Sequence, residues 1–160
     1  MGIDMGTVIV GGIILIICVL PFALTTKNNR KRKTQILKTL NQLVVQHKSE
    51  VNSYEAKTNF AIGIDEVKGL IFFIRQLKNG KIETKCLELI KIKTCKVNRE
   101  NSTGNQVERL SLIFIHFNEQ KNNEEMEFYN IDINLQLDGE LQMVERWAVI
   151  INNQLNTIIR

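Results

Sequence analysis

Cysteine and histidine are scarce, at three and two in a chain of 160 residues. Cys86 and Cys95 stand in a strand-like stretch, Cys18 lies in an apolar run, and no C-x-x-C pair occurs. Zinc and dithiol frameworks are therefore not expected, and the thiols read as reduced and partly buried. His47 and His116 have no partner nearby in sequence, and the H-E-x-x-H, G-x-S-x-G, Walker A and G-x-G-x-x-G motifs are all missing. A catalytic role is not expected, and neither is a cofactor or a metal. A broad excess of charge is missing too. The net charge of +4 is confined to residues 27–33, where Lys27, Arg30, Lys31, Arg32 and Lys33 cluster. From Thr34 onward there are 16 basic and 16 acidic side chains, so a nucleic-acid partner is not expected. With 44% apolar and 24% charged residues and one proline, the chain is too apolar to be disordered as a whole, and its length suits one domain with a short appendage.

What the chain does have is a long oily run. Met5 to Leu24 carries no charge. As a helix its 20 residues span about 30 Å, the hydrocarbon thickness of a bilayer. It is apolar all round, which fits lipid better than a half-buried surface. A cleavable leader wants a positive start and small residues at its end, whereas here the start holds Asp4 and Ala23 is flanked by Pro21, Phe22 and Leu24. A pilin stalk wants an acidic residue early in the helix, and a lipoprotein wants a cysteine at its end; neither is present. The reading is a transmembrane helix over residues 1–26. All five basic residues follow it and none precedes it, which predicts the N-terminus outside and the rest in the cytoplasm, at the inner membrane. Lys27, Arg30, Lys31, Arg32 and Lys33 are then a stop-transfer flank and a membrane-surface contact.

Residues 27–53 form a basic juxtamembrane segment and a stalk helix. Apolar Ile36, Leu37, Leu40, Leu43 and Val44 mark one helical face over 34–48, with Thr34 as its cap. This helix either continues the membrane helix as a stalk or packs on the domain. His47 reads as a surface or packing residue. Strand patterns follow over 59–65, 69–77, 82–99 (with a bulge or break near Leu89-Ile90), 106–117 and 126–137, the last with a phase slip near Tyr129-Asn130. Asn79-Gly80 predicts a hairpin. Asp65 and Glu66 are expected together on a solvated turn. Met143, Val144, Trp147, Ile150, Ile151 and Ile158 recur at helical spacing, with Asp138 as a cap and Trp147, the sole tryptophan, as a structural anchor. The fold class is α+β: antiparallel strands closed by a C-terminal helix.

The hairpin "AIGIDEVKGLIFFI", the entry "LELIKIKTCKV" into a middle strand and the tryptophan in "ERWAVII" together resemble the pleckstrin-homology-like superfold, including its bacterial and GRAM-type branches. The resemblance covers about residues 54–160. It implies a half-barrel of six or seven strands, plugged at one end by the helix, and binding of lipid headgroups, peptides or protein surfaces rather than catalysis. Phosphoinositide binders of that family place several Lys and Arg around the first hairpin; Asp65, Glu66 and Lys68 stand there instead, so that activity is not carried over. The competing fold is a cystatin- or NTF2-like curved sheet of a secretion-system subunit, which usually places helices before the strands.

The favoured function is a membrane-anchored, non-catalytic scaffold that presents a small cytoplasmic domain to protein partners. Lys85, Lys91, Lys93 and Lys96 form a candidate partner or lipid surface, set against a plain reading as a solvated, aggregation-resistant edge. The alternatives are an anionic-lipid sensor, which would use that strip together with the basic flank, and a secretion-type assembly subunit.

Overall fold

A computed structural model describes residues 28–104, 106–118, 120–133 and 136–158. The expected membrane-spanning segment, Cys18 and Lys27 lie outside them. Among the described residues no helix is long and apolar enough to cross a membrane.

The described residues open with helix α1, over residues 28–46. Seven strands follow among the described residues: β1 (Ser53–Ala56), β2 (Phe60–Asp65), β3 (Leu70–Gln76), β4 (Ile82–Glu88), β5 (Ile92–Asn101), β6 (Val107–His116) and β7 (Glu124–Asn130). Helix α2 (Glu140–Ile158) ends the fold. The strands form two antiparallel sheets, one ordered β1-β2-β3-β4 and the other β5-β6-β7. The fold class is α+β, as the patterning implies.

Sequence order follows spatial order because each connection is a short turn. Between β3 and β4 the Asn79-Gly80 hairpin forms as expected. Gly80 takes φ +80°, the Leu77 N–H donates to Lys81 O at 2.8 Å, and Asn79 Oδ1 accepts the Lys81 N–H at 3.0 Å. Between β4 and β5 the predicted break is a single 3-10 turn, Leu89–Lys91, whose fully buried Leu89 pins the corner where the chain leaves one sheet for the other. The phase slip in β7 is a bulge: Leu110 faces Tyr129 but Ser111 faces Glu127, so Phe128 is the extra residue.

The main core lies between the two sheets and α2. Phe60, Phe73 and Phe128 meet there, with ring centroids 4.9–6.4 Å apart. From α2, Met143, Val144, Trp147, Ile151 and Leu155 enter the same core. A second, smaller core lies on the other face of the first sheet, where Ile36, Leu40 and Val44 of α1 cover Ala61, Phe72 and Ile74. That explains why β2 and β3 are continuously apolar rather than alternating: both faces are buried. Of the two roles open to the helix, it therefore packs on the domain.

Several local expectations differ from the fold. Thr34 is not a cap. It lies inside α1, where its hydroxyl donates back to Arg30 O at 2.9 Å. Asp138 does not cap α2 with its side chain. Gly139, at φ +78°, precedes the first helical residue, and Glu140 folds its carboxylate back to accept the Asp138 N–H at 2.5 Å. Strand β7 stops at Asn130 instead of 137, because Asn130 folds a turn by accepting the Asp132 and Ile133 N–H groups, each at 3.0 Å. Ile131 and Leu137 still pack on the core from that loop, so the alternation continues without a strand; residues 134 and 135 lie outside the described residues. Strand β1 escapes the patterning because it is four residues long and mostly polar.

Candidate interaction surfaces

The two ends of the domain differ, and α1 runs from one to the other. At one end α1 terminates beside the β2–β3 turn. The Lys68 ammonium donates to the carbonyls of His47 and Lys48 in the turn that follows the helix. Asp65 stands next to it. Expected in solvent, its side chain is instead 2% exposed, while Glu66 is indeed solvated. Adjacent residues at a strand end point to opposite sides, and here one side is occupied by the segment leaving α1. Burial by itself pushes the Asp65 pKa up. Hydrogen bonds from the Ser49 hydroxyl and from the backbone N–H groups of Lys68 (2.9 Å), Glu50 (3.1 Å) and Val67 outweigh it and hold the carboxyl below its usual range.

A depressed native pKa stabilises the fold above the unfolded carboxylate value of about 4, and that contribution is lost as pH falls through the native value. Asp65→Asn is expected to remove about 2 kcal/mol at neutral pH and to flatten the loss of stability below about pH 4. Urea midpoints of the two proteins at neutral and acidic pH check this; parallel pH profiles would rule it out.

At the other end, residues 28–35 of α1 are all exposed, because the first side chain to reach the sheet is Ile36. Asn29 and Arg32 overlook a hollow of about 910 Å³ whose other walls are Lys57–Asn59 of the β1–β2 turn, Lys78 and Gly80 of the β3–β4 hairpin, and Asp132 and Asp138 of the loop before α2. The Lys57 ammonium donates to Asp138 O at 2.6 Å, and the Asp138 carboxylate is 3.7 Å away. Sequence reasoning missed this gathering. Its one local trace is a lysine on each side of the Asn79-Gly80 turn, which the hairpin must present to solvent.

The predicted basic residues fare unequally. Arg30, Lys31, Arg32 and Lys33 are helical and exposed on the projecting turns of α1. The strip of Lys85, Lys91, Lys93 and Lys96 does not lie on one strand, because the 3-10 turn divides it. Lys85 is on β4, donates to Glu125 O at 2.7 Å and pairs with Glu83 at 3.4 Å, so it bridges the sheets. Lys91 pairs with Glu88 at 2.7 Å. Lys93 and Lys96 are exposed on β5, Lys93 at a register shift. Trp147 is 2% exposed, and its indole N–H donates to Glu55 at 3.1 Å, which also takes Arg146 at 2.7 Å.

Burial pushes the Cys95 thiol up to about 12, and burial with the nearby Glu88 charge raises Cys86 as well, so both are protonated at neutral pH. His47 is exposed, 5.7 Å from the Phe72 ring and 3.9 Å from Cys86 Sγ; His116 is buried, with Nε2 3.3 Å from Glu124. No group of three His, Cys, Asp or Glu among the described residues could hold a metal ion. Among the described residues both sheets end in strands without an outer partner strand. Asn152 of α2 covers part of one by bonding the Cys95 N–H (3.1 Å) and carbonyl (2.8 Å) of β5. On β1, the outer strand of the first sheet, Tyr54 is 61% exposed. Comparisons with protein-family models, with curated proteins and with solved structures find nothing that matches this chain.

Proposed function

We propose that the protein is a membrane-anchored, non-catalytic binding module. Residues 5–24 are the anchor, and the folded part is a cytoplasmic, pleckstrin-homology-like domain offered to protein partners at the membrane. The observation that carries this is the docking of α1. The helix that follows the apolar run and contains the basic flank is fastened along the first sheet by Ile36, Leu40 and Val44. An anchored chain of this build keeps its domain close to the bilayer, which raises the effective concentration of its surfaces for neighbouring membrane proteins. The pleckstrin-homology-like reading is supported by four and then three antiparallel strands in sequence order, a corner at Leu89–Lys91 and a C-terminal helix that carries Trp147 into the core. The β2–β3 turn of Asp65, Glu66 and Lys68 is a structural clasp in this reading, not a headgroup site. The outer strand β1 is a natural docking edge, because its outer side has no partner strand among the described residues and can add one through its backbone.

Two measurements test the proposal on the full chain. The protein should resist alkaline extraction of membranes, and a cysteine at position 79 should react with an impermeant maleimide only from the cytoplasmic side. A photocrosslinking amino acid in place of Tyr54 should give discrete protein adducts in the native membrane. Extraction into the soluble fraction, labelling from outside, or adducts to lipid alone would each count against it.

A further inference from the structure

Resting on that anchored reading, we infer that the end of the domain bearing the β1–β2 turn and the β3–β4 hairpin is apposed to an anionic lipid surface, with Arg32, Lys78 and Lys81 as its contacts. Chain geometry comes first. The apolar run ends at Leu24 and α1 is helical from residue 28. Four residue steps reach about 14 Å at full extension, so the start of α1 stays within headgroup range of the bilayer. From residue 28 to the first buried side chain at Ile36 the helix rises about 12 Å. Asn29 and Arg32 fall within that rise and share one hollow with Lys57, Lys78 and Gly80. The hairpin is thus held level with the projecting basic turns rather than behind them.

Charge agrees with this placement. Arg30, Lys31, Arg32 and Lys33 on α1 and Lys78 and Lys81 on the hairpin are all exposed, whereas the acidic groups bordering the hollow are Asp132, Asp138 and the buried Glu140. Asp138 is already engaged by Lys57, and Glu140 by the Asp138 N–H. Glu140 is buried, but Asp132 and Asp138 are exposed, the Asp138 side chain at 96%, and they disfavour a single phosphate seated among them. The six exposed cations of α1 and the hairpin outnumber these two carboxylates, which leaves a net positive face toward a broad negative surface. The contact therefore scales with surface charge density rather than with a particular headgroup. Lys91 and Lys93 lie at the opposite end, where Phe117 N–H donates to Lys91 O at 3.1 Å and Leu89 N–H donates to Gly69 O at 2.8 Å, and take no part.

The test uses the full chain in phosphatidylcholine vesicles with and without phosphatidylglycerol. An environment-sensitive fluorescent amino acid is placed at position 79, or at position 118 as a far-end control, and quenched by a nitroxide carried on the lipid headgroup. Quenching is expected at 79 and not at 118, only in the anionic vesicles, and weakened by salt. Lys78→Glu with Lys81→Glu should reduce it roughly tenfold or more, with flotation unchanged. Equal quenching in neutral and anionic vesicles, equal quenching at both positions, or no effect of the double substitution would overturn the inference. A chain that floats with vesicles but is not quenched at 79 defeats this inference alone; a chain that does not float defeats the anchored reading as well.

Discussion

Trp147→Ala is expected to destabilise the domain by about 3–5 kcal/mol, a large share of the stability of a domain this size. The indole lies midway along the buried face of α2, between Val144 and Ile151, and closes the core on both sheets. Its truncation leaves a cavity that helix and strands, fixed by their own hydrogen bonds, refill only in part. It also removes the N–H that Glu55 accepts. Arg146 still holds that carboxylate through two hydrogen bonds at 2.7 and 2.9 Å, so no charge is left stranded. Trp147→Phe should therefore be milder, costing about 2 kcal/mol for lost area and one charge-assisted hydrogen bond. Because this is the only tryptophan, unfolding must be followed by far-ultraviolet circular dichroism instead of its fluorescence. A loss below about 1 kcal/mol for the alanine variant would mean that the indole is not a core anchor.

Removing α1 should be at least as damaging. The change from helical to strand periodicity suggests a domain boundary near residue 54, and a fragment starting there discards the cover of the first sheet. Burial of Ile36, Leu40 and Val44 is worth about 1.5–3 kcal/mol each, and the fragment would also expose Ala61, Phe72 and Ile74, all fully buried in the intact fold. The combined loss approaches the whole stability of a typical domain, about 5–15 kcal/mol. The fragment 54–160 is expected to aggregate or to populate an unfolded ensemble. The fragment 28–160 should elute as one sharp species in size-exclusion chromatography and protect the β2 and β3 amides from hydrogen exchange. Equal protection in the two fragments would show that α1 is a stalk after all.

Elements whose pattern is local were legible before any fold was known. The apolar stripe of α1, the apolar runs of β2 and β3, the alternation of later strands, the Asn79-Gly80 hairpin and the buried face of α2 each follow from local composition, from periods of 3.6 or 2, or from turn chemistry that acts within a few residues. The break at Leu89-Ile90 was legible for the same reason, since a shift of phase cannot be hidden within one strand. Boundaries were less so. Thr34 and Asp138 are plausible caps by residue type, yet helical backbone extends upstream of one, and Gly139 with Glu140 serves in place of the other.

The candidate surface was hardly legible. A row of lysines from 85 to 96 looked like one strip, but a single turn sends it to two sheets, where Lys85 and Lys91 are taken up by Glu125, Glu83 and Glu88. The cations that do gather, at residues 32, 57 and 78, are far apart along the chain and meet only because α1 lies across the sheet.

Residue order thus settled which segments are helix and strand, where the charge is concentrated, and that one uncharged run is long enough for a bilayer; these depend on neighbours and on counting. It did not settle that α1 clasps the first sheet, that Asp65 is buried while Glu66 is not, or that distant cations share one end of the domain. Those follow from contacts between residues tens of positions apart, whose pairing is chosen by which faces can leave water together, and no local period records that choice.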